Sequence, residues 1–163
     1  GKAIRFEESK TRPMGRGASG VRGITLADAK DELVGMVAVN DMDANILVVS
    51  ENGYGKRSSL DDYRITNRGG KGVKTISITD KTGKLVSIKT VTDSDDLMII
   101  NKSGIAIRME IASLRVMGRA TQGVKLINLK GDDTIAAVAK VMNDDAPIED
   151  ARDVDVNDGT IIE

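Results

Sequence analysis

The sequence repeats itself with a period of about 52 residues. Gly1, Gly53 and Gly104 are separated by 52 and 51 residues. The same two spacings relate three further sets of identical residues: Arg5, Arg57 and Arg108; Arg16, Arg68 and Arg119; and Gly20, Gly72 and Gly123. Agreement of four sets on one period indicates three copies of one structural unit. Such units cannot bury a hydrophobic face alone, and stacking against neighbouring copies stabilises them.

Each copy contains short segments typical of β-strands. In the second copy, the β-branched run from Val73 to Thr79 is followed by turn residues and then by a further run from Leu85 to Val91. Asn52-Gly53 favours a tight hairpin, because a type I′ turn needs positive φ at both central residues. The predicted first strands are Lys2–Phe6, Lys56–Leu60 and Ile105–Met109, and the second are Val21–Leu26, Val73–Thr79 and Val124–Leu129. The predicted third strands are Leu33–Val39, Leu85–Val91 and Ile135–Val141, and the fourth are Asn45–Ser50 and Asp96–Asn101.

These segments predict an all-β protein, a propeller-like array of four-stranded blades with about three blades in this chain. A period near 50 residues suits a propeller blade better than the shorter solenoid repeats. The predicted units are copy 1 (residues 1–52), copy 2 (53–103) and copy 3 (104–142). The third copy lacks a fourth strand, and no partner precedes Gly1. We therefore expect the chain to be an arc excised from a larger ring, with further blades upstream.

Charge divides the chain into two parts. Residues 143–163 hold eight acidic residues and one basic residue, for a net charge of −7. Residues 1–142 hold 23 basic and 17 acidic residues, for a net charge of +6. We expect an acidic C-terminal tail that is disordered, because its low hydrophobicity provides little to bury. The tail either is simply solvated or competes with a ligand's phosphates for the basic body.

The composition argues against a catalytic site and against a metal site. The chain has no His and no Cys, which are the commonest metal ligands and the usual neutral-pH base and nucleophile. Gly15–Gly20 matches a dinucleotide-binding pattern, but a strand-forming segment follows where a helix is needed. Asp41 and Asp43 begin a calcium-loop pattern that lacks its Gly and Glu. Neither Tyr54 nor Tyr63 has a base nearby in sequence. We predict no catalytic residue, no metal site and no cofactor in this chain.

No apolar run approaches the ~20 residues that span a bilayer, and no signal peptide opens the chain. We therefore expect no membrane association and a cytoplasmic location.

Basic residues recur around the loop that follows the first strand of each copy. Stacked copies would join them into a curved positive band, which suits the phosphates of a bent duplex. Few aromatic side chains are present to stack on unpaired bases, which disfavours a single-strand reader. The predicted DNA-binding residues are Arg5, Arg12, Arg16, Arg22, Lys56, Arg57, Arg68, Lys71, Lys74, Arg108, Arg119 and Lys125.

The loops carry a resemblance to a known family. MGRGASGVRGITL, TNRGGKGVKTISI and VMGRATQGVKLINL, in this order and at this spacing, resemble the last three blades of the C-terminal domain of DNA gyrase A subunits. The resemblance covers about residues 1–142. It implies a β-pinwheel that wraps double-stranded DNA on a basic rim and so supports ATP-dependent negative supercoiling by a type IIA topoisomerase.

The resemblance also implies partners and a location. These are the rest of the gyrase A chain and gyrase B in an A2B2 complex, in the bacterial cytoplasm at the nucleoid. ATP and Mg²⁺ would be bound elsewhere in that complex, and the acidic tail would contact the basic rim.

One motif departs from the family pattern. The family's Gln-basic-Arg-Gly-Gly-basic-Gly box has only a partial match here, which lacks the Gln and the first basic residue. Its residues are Thr66, Asn67, Arg68, Gly69, Gly70, Lys71 and Gly72. We expect the complete box upstream. Two alternatives remain: the matching domain of the topoisomerase IV A chain, and a propeller-like scaffold for protein interactions.

Overall fold

The computed structural model describes residues 1–142, so the predicted acidic tail lies outside the described residues. Nine β-strands and three short 3₁₀ helices make up the regular structure of this part. The strands are β1 (Lys2–Ala3), β2 (Asn45–Ser50), β3 (Tyr54–Ser59), β4 (Val73–Lys74), β5 (Leu85–Val91), β6 (Asp95–Asn101), β7 (Ala106–Glu110), β8 (Val124–Lys125) and β9 (Ile135–Met142). The 3₁₀ helices are Glu8–Lys10, Leu60–Asp62 and Ile111–Ser113, one after the first strand of each copy. The all-β prediction is confirmed.

The strands form three sheets that combine neighbouring copies. The largest has the order β5-β2-β3-β8, the next β7-β6-β9, and β1 pairs with β4. All of these pairings are antiparallel. The fourth strand of copy 1, β2, thus lies between the first and third strands of copy 2, β3 and β5. β6 from copy 2 lies in the same way between β7 and β9 of copy 3. Copies 1 and 2 therefore each supply a central strand to the sheet of the copy that follows.

The second strands of copies 2 and 3 pair with the copy that precedes them in the chain. β4 of copy 2 pairs with β1 of copy 1, and β8 of copy 3 pairs with β3 of copy 2. Neighbouring copies therefore exchange strands reciprocally. The predicted boundaries at 52/53 and 103/104 fall in the hairpin turns, so one sheet contains strands of up to three copies.

The third strands of copies 2 and 3 and the fourth strands of copies 1 and 2 agree well with the sequence predictions. Asn45–Ser50 and Leu85–Val91 have the predicted bounds, and β6 and β9 each gain one residue. The first strands of copies 2 and 3 are shifted, to Tyr54–Ser59 and Ala106–Glu110. The third and fourth strands that were predicted well are β-branched runs between turn residues, and these turns define the ends of the strands.

Other predicted strands were wrong. The first strand of copy 1 ends at Ala3, and the second strands of copies 2 and 3 end at Lys74 and Lys125. Residues 21–26 and 33–39 form no strand. A strand needs a hydrogen-bonded neighbour, and no strand pairs with these segments among the described residues.

The hydrophobic core lies on both faces of the central strand β2. Leu47 and Val49 pack into a cluster shared with the β6 sheet, while Ile46 and Val48 pack into a cluster with Leu60 and other residues nearer copy 1. Successive side chains of a strand point to opposite faces, so a strand between two packed layers must be apolar on both. This explains why NILVVS shows no polar alternation.

Candidate nucleic-acid interface

The recurring glycine before the second strands of copies 2 and 3 brings each of these copies into close contact with the preceding one. Gly72 and Gly123 have φ values of 71° and 84°, which side-chain-bearing residues rarely adopt. A Cβ at Gly72 would lie 2.5 Å from the Ala3 carbonyl oxygen, and one at Gly123 would lie 2.6 Å from that of Gly55. The loop can therefore lie against the first strand of the preceding copy only because these positions are glycine.

Arg68 and Arg119 hold these loops to the preceding copy. Arg68 donates from Nε to the Lys10 carbonyl at 3.2 Å and from Nη1 to the Arg22 carbonyl at 2.6 Å. Arg119 makes the equivalent bonds one period later, to the carbonyls of Asp62 at 3.0 Å and Lys74 at 2.8 Å. The repetition of both bonds indicates that these arginines fix the junction between copies.

The box-like loop, Thr66–Gly72, lies across the second segment of copy 1. Gly69 donates its N–H to the Gly23 carbonyl at 2.8 Å, and Thr25 donates its N–H to the Gly70 carbonyl at 2.9 Å. Lys71 is exposed at the end of this loop. Besides its partial match to the family box, the loop therefore has a structural role at a junction.

The first recurring arginine is also engaged within the protein. Arg57 is only 7% exposed and donates from Nε to the Leu114 carbonyl. Arg5 donates from Nη1 to the carbonyls of Leu60 at 3.0 Å and of Tyr63 at 3.3 Å, and Tyr63 is the equivalent of Leu114 one copy earlier. Arg108 forms an ion pair with Asp96 at 2.5 Å. The bonds of Arg5 and Arg57 connect the first strand of one copy to the 3₁₀ turn of the next.

Lys56, another predicted DNA-binding residue, is buried. Its side chain is among the largest that are fully buried, with 1% exposure. The ammonium donates to the carbonyls of Gly118 and Arg119 and, at 3.2 Å, to Thr121 Oγ1. Burial lowers the pKa of Lys56 to about 8, against the attraction of Asp62. In this structure Lys56 and Arg57, two of the predicted DNA-binding residues, are not accessible to a ligand.

Two sets of recurring cations are exposed at every copy. The first set is Arg12, Arg64 and Arg115, and the second is Arg22, Lys74 and Lys125. Both sets follow the same spacings of 52 and 51 residues. Arg64 and Arg115 were missing from the predicted site, although comparison of the three copies at position 12 would have identified them.

The guanidinium bonds bring members of the two sets together. Because Arg68 bonds the backbone of both residue 10 and residue 22, the chain segments that carry Arg12 and Arg22 meet at one junction. Arg119 does the same for the segments that carry Arg64 and Lys74. Asp62, which accepts from the Arg119 N–H at 3.3 Å, reduces the local positive charge there. We call the two exposed sets together the rim cations.

Within residues 1–142, no group of three or more acidic side chains could hold a metal ion. In the same part of the chain, no helix is long and apolar enough to cross a membrane.

Comparison with known proteins identifies the fold. Residues 1–40, 44–92 and 95–142 match the family model described as DNA gyrase C-terminal domain, beta-propeller. The chain is also similar to a solved structure of the DNA gyrase A C-terminal domain, with a TM-score of 0.79 and 28% identity over 87% of this chain and 48% of that one. A solved topoisomerase IV C-terminal domain has a TM-score of 0.81 at 22% identity, covers 87% of this chain and 44% of that one, and supports the fold alone.

Curated relatives have higher identity. The DNA gyrase A protein of Staphylococcus aureus strain MRSA252 is 50% identical over 160 residues, which is 96% of this chain and 18% of that protein. The DNA gyrase A protein of strain NCTC 8325 is 52% identical over 143 residues, covering 86% of this chain and 16% of its own length. These identities favour the gyrase alternative over topoisomerase IV. With three segments of the family model matched in order, the chain belongs to the DNA gyrase A C-terminal domain family.

Proposed function

We propose that this chain binds and wraps double-stranded DNA as part of a gyrase A protein. The observation that carries the proposal is the exposure of the rim cations, one pair in every copy. Cations at a regular spacing suit a phosphate backbone, and they provide affinity without reading bases. Stacked copies would hold the duplex along a curved path, and bending energy would then favour deformable sequences.

The parent protein is proposed to be part of an ATP-hydrolysing type II topoisomerase that introduces negative supercoils. Its partners would be the rest of the A chain and gyrase B in an A2B2 complex in the bacterial cytoplasm. ATP and Mg²⁺ would be bound by other parts of that complex, and this chain would contribute DNA binding and no catalytic residue. The relatives support this assignment by name, although the chain spans less than a fifth of their length.

The salt dependence of duplex affinity tests DNA binding. The logarithm of the affinity should fall linearly with the logarithm of the salt concentration, with a slope of about −0.9 for each phosphate contacted. A triple variant with Arg12, Arg64 and Arg115 changed to Ala should lower the magnitude of this slope by about 2.7, since about three contacts are removed. The loss should be similar for duplexes of unrelated sequence.

A charge-matched variant controls for the change in net charge. Lys84, Lys102 and Lys130 are exposed lysines outside the recurring sets, and changing all three to Ala should leave the slope nearly unchanged. Equal slopes for the two triple variants would contradict the interface. Affinity that does not depend on salt would contradict DNA binding itself and favour a protein-interaction scaffold.

A further inference from the structure

An exposed aliphatic side chain directly follows a rim cation in copies 2 and 3. Ile65 follows Arg64, and Val116 follows Arg115, at the same place in the repeat. Ile65 is 55% exposed and Val116 is 50% exposed. The equivalent residue of copy 1 is Pro13, which is apolar and exposed too. Single exposed aliphatic side chains are common on protein surfaces, but one that recurs beside a recurring cation indicates a shared contact.

The backbone holds both aliphatic residues in place. Thr66 donates its N–H to the Arg5 carbonyl at 2.9 Å, and Met117 donates its N–H to the Arg57 carbonyl at 2.8 Å. Each bond belongs to an isolated parallel bridge at the exposed aliphatic residue. In copy 3 this bridge leads to copy 2, which has another copy on either side, so an incomplete neighbour does not explain the exposure. A residue fixed in this way loses little further freedom when a ligand binds.

Apolar neighbours in the same two segments are buried. Tyr63 and Leu114, directly before the cations, are 3% and 8% exposed. Each segment therefore passes from core to surface within two residues, and the aliphatic side chain that follows the cation stays outside the core. A ligand that covered these side chains would remove their apolar surface from water, which favours binding.

The chemistry beside the phosphates of a duplex suits this pair of side chains. With the guanidinium on a phosphate, the next residue lies only about 3.8 Å further along the chain, measured between Cα atoms. The groups next to each phosphate are the sugars, whose C–H edges offer apolar contact beside the charge. A duplex repeats phosphate and sugar along its path, and the chain repeats cation and aliphatic residue from copy to copy. A protein partner would instead need a continuous apolar patch, whereas these two side chains belong to different copies.

An apolar contact to the sugar also distinguishes deoxyribose from ribose. The 2′ carbon of deoxyribose carries only hydrogen, whereas that of ribose carries a hydroxyl that donates and accepts hydrogen bonds. The side chains of Ile and Val offer that hydroxyl neither a donor nor an acceptor. Covered by them, the hydroxyl would lose its water and gain no partner, which weakens the binding of RNA.

We propose that Ile65 and Val116 contact the sugars of the bound duplex and select deoxyribose over ribose. This inference rests on the proposed function, because it requires Arg64 and Arg115 on neighbouring phosphates. The cations supply affinity for either nucleic acid, and the aliphatic side chains favour DNA.

Replacing both aliphatic residues by Thr tests this selection. Ile65→Thr combined with Val116→Thr keeps a β-branched side chain at each position and adds a hydroxyl that bonds to a ribose hydroxyl. Fluorescence anisotropy measures the affinities of the 163-residue chain for a DNA duplex and for an RNA duplex of the same sequence. The ratio of the two affinities should fall by about tenfold in the variant, through weaker DNA binding and unchanged or tighter RNA binding. The preference that arises from the different shapes of the two duplexes is present in both proteins and cancels in this comparison.

Two other exposed isoleucines provide the control. Ile105 is 57% exposed and Ile78 is 40% exposed, and neither follows a basic residue. Ile78→Thr combined with Ile105→Thr should leave the ratio unchanged. The salt slope for DNA should be the same in all three proteins, because every cation is kept. Circular dichroism checks the folding of both variants, and Val116→Thr alone, which replaces one methyl group by a hydroxyl, should still lower the ratio by about threefold.

The possible results separate this inference from the proposed function. An equal ratio in the original chain and in the Ile65 and Val116 variant would overturn the selection of deoxyribose and leave DNA binding in place. An equal fall in the control variant would do the same, because the effect would then not depend on the neighbouring cations. If the original chain shows no salt-dependent affinity for DNA, both DNA binding and the sugar contact are wrong.

Discussion

At the residue scale, glycine at position 123 combines two constraints. Its φ is 84°, and the Gly55 carbonyl lies 2.6 Å from where a Cβ would be. Gly118, five residues earlier in the same loop, has neither constraint, because nothing lies within 4 Å of its Cβ position and its φ is not positive. Alanine substitutions at these two positions therefore distinguish the effect of the positive φ and the close carbonyl at position 123 from the general effect of adding a methyl group.

Gly123→Ala should lower the free energy of unfolding by at least about 1–2 kcal/mol, because the left-handed backbone is strained and a backbone atom must move. Gly118→Ala should change it by less than about 0.5 kcal/mol. Urea denaturation followed by circular dichroism measures both. Equal effects of the two substitutions would show that the junction tolerates a side chain at position 123.

The buried ammonium of Lys56 predicts a dependence of stability on pH. Its pKa is lowered by burial to about 8, from an ordinary value of 10.5. Between pH 8 and 10.5 the unfolded chain therefore binds more protons than the folded chain, and this group makes the free energy of unfolding rise with pH. Burial raises the pKa of Tyr63 above its ordinary value of 10.0, so that group lowers stability with rising pH above 10.

Lys56→Ile isolates the lysine, because Ile4 and Ile107 occupy the equivalent positions in the other copies. We expect the free energy of unfolding of the original chain minus that of the variant to increase between about pH 8 and 10, in urea titrations at matched ionic strength. The subtraction removes the contributions of the other groups. A difference that falls over this range would mean that the charged lysine is favoured by its carbonyl partners despite burial.

At the element scale, the junction between copies depends on strand exchange and on the paired arginine bonds. The loop 117–123 is held by Arg119 and by Ser77, which donates its hydroxyl to the Ala120 carbonyl at 3.1 Å. The second strands at these junctions have only two residues each. Side-chain bonds to backbone carbonyls are therefore a large part of what joins one copy to the next.

Arg119→Gln should loosen this junction, because the shorter amide cannot reach both carbonyls. The Ser77 amide, which donates to the Thr121 carbonyl at 3.3 Å, should exchange its proton faster with solvent. The exposed Arg115 provides the control, and Arg115→Gln should leave that exchange rate unchanged. Equal rates in both variants and the original chain would remove the structural role of Arg119.

The sequence predicts correctly the strands whose ends are set by neighbouring turn residues. β2 and β5 lie between turn residues, and their β-branched runs define them without reference to partners. The exchange of strands could not be predicted, because a repeat relates residues to equivalent residues but does not say which copy provides a partner. Residues 21–26 and 33–39 have strand-like composition yet form no strand in the absence of neighbours.

The residues of the candidate site could likewise be predicted only in part, because the repeat does not show which copy each side chain packs against. The period identified the arginines at positions 16, 68 and 119, but exposure separates rim cations from structural ones, and exposure depends on tertiary packing. Lys56 has the charge of a DNA ligand and the environment of a core residue. Its sequence position suggested this, since the equivalent residues Ile4 and Ile107 are apolar.

At the scale of the whole molecule, the proposed DNA binding depends on cations repeated along a curved array. Residues 1–142 carry a net charge of +6, and the rim cations are the part of it that recurs and is exposed in each copy. A wrapping surface must continue beyond one copy, because bending a duplex costs several kcal/mol that only contacts spread along its path can offset. Single substitutions at the rim should therefore have small effects, and combined ones large effects.

ATP-dependent supercoiling of relaxed circular DNA, the activity proposed for the complete parent enzyme, tests the role of the rim cations most directly. With Arg12, Arg64 and Arg115 changed together to Ala in the parent chain, negative supercoiling at moderate salt should be at least tenfold slower, and lower salt should partly restore it. The parent enzyme with Lys84, Lys102 and Lys130 changed to Ala should supercoil at the original rate. Equal supercoiling rates in the two variants would contradict the proposal that the rim cations hold the wrapped DNA.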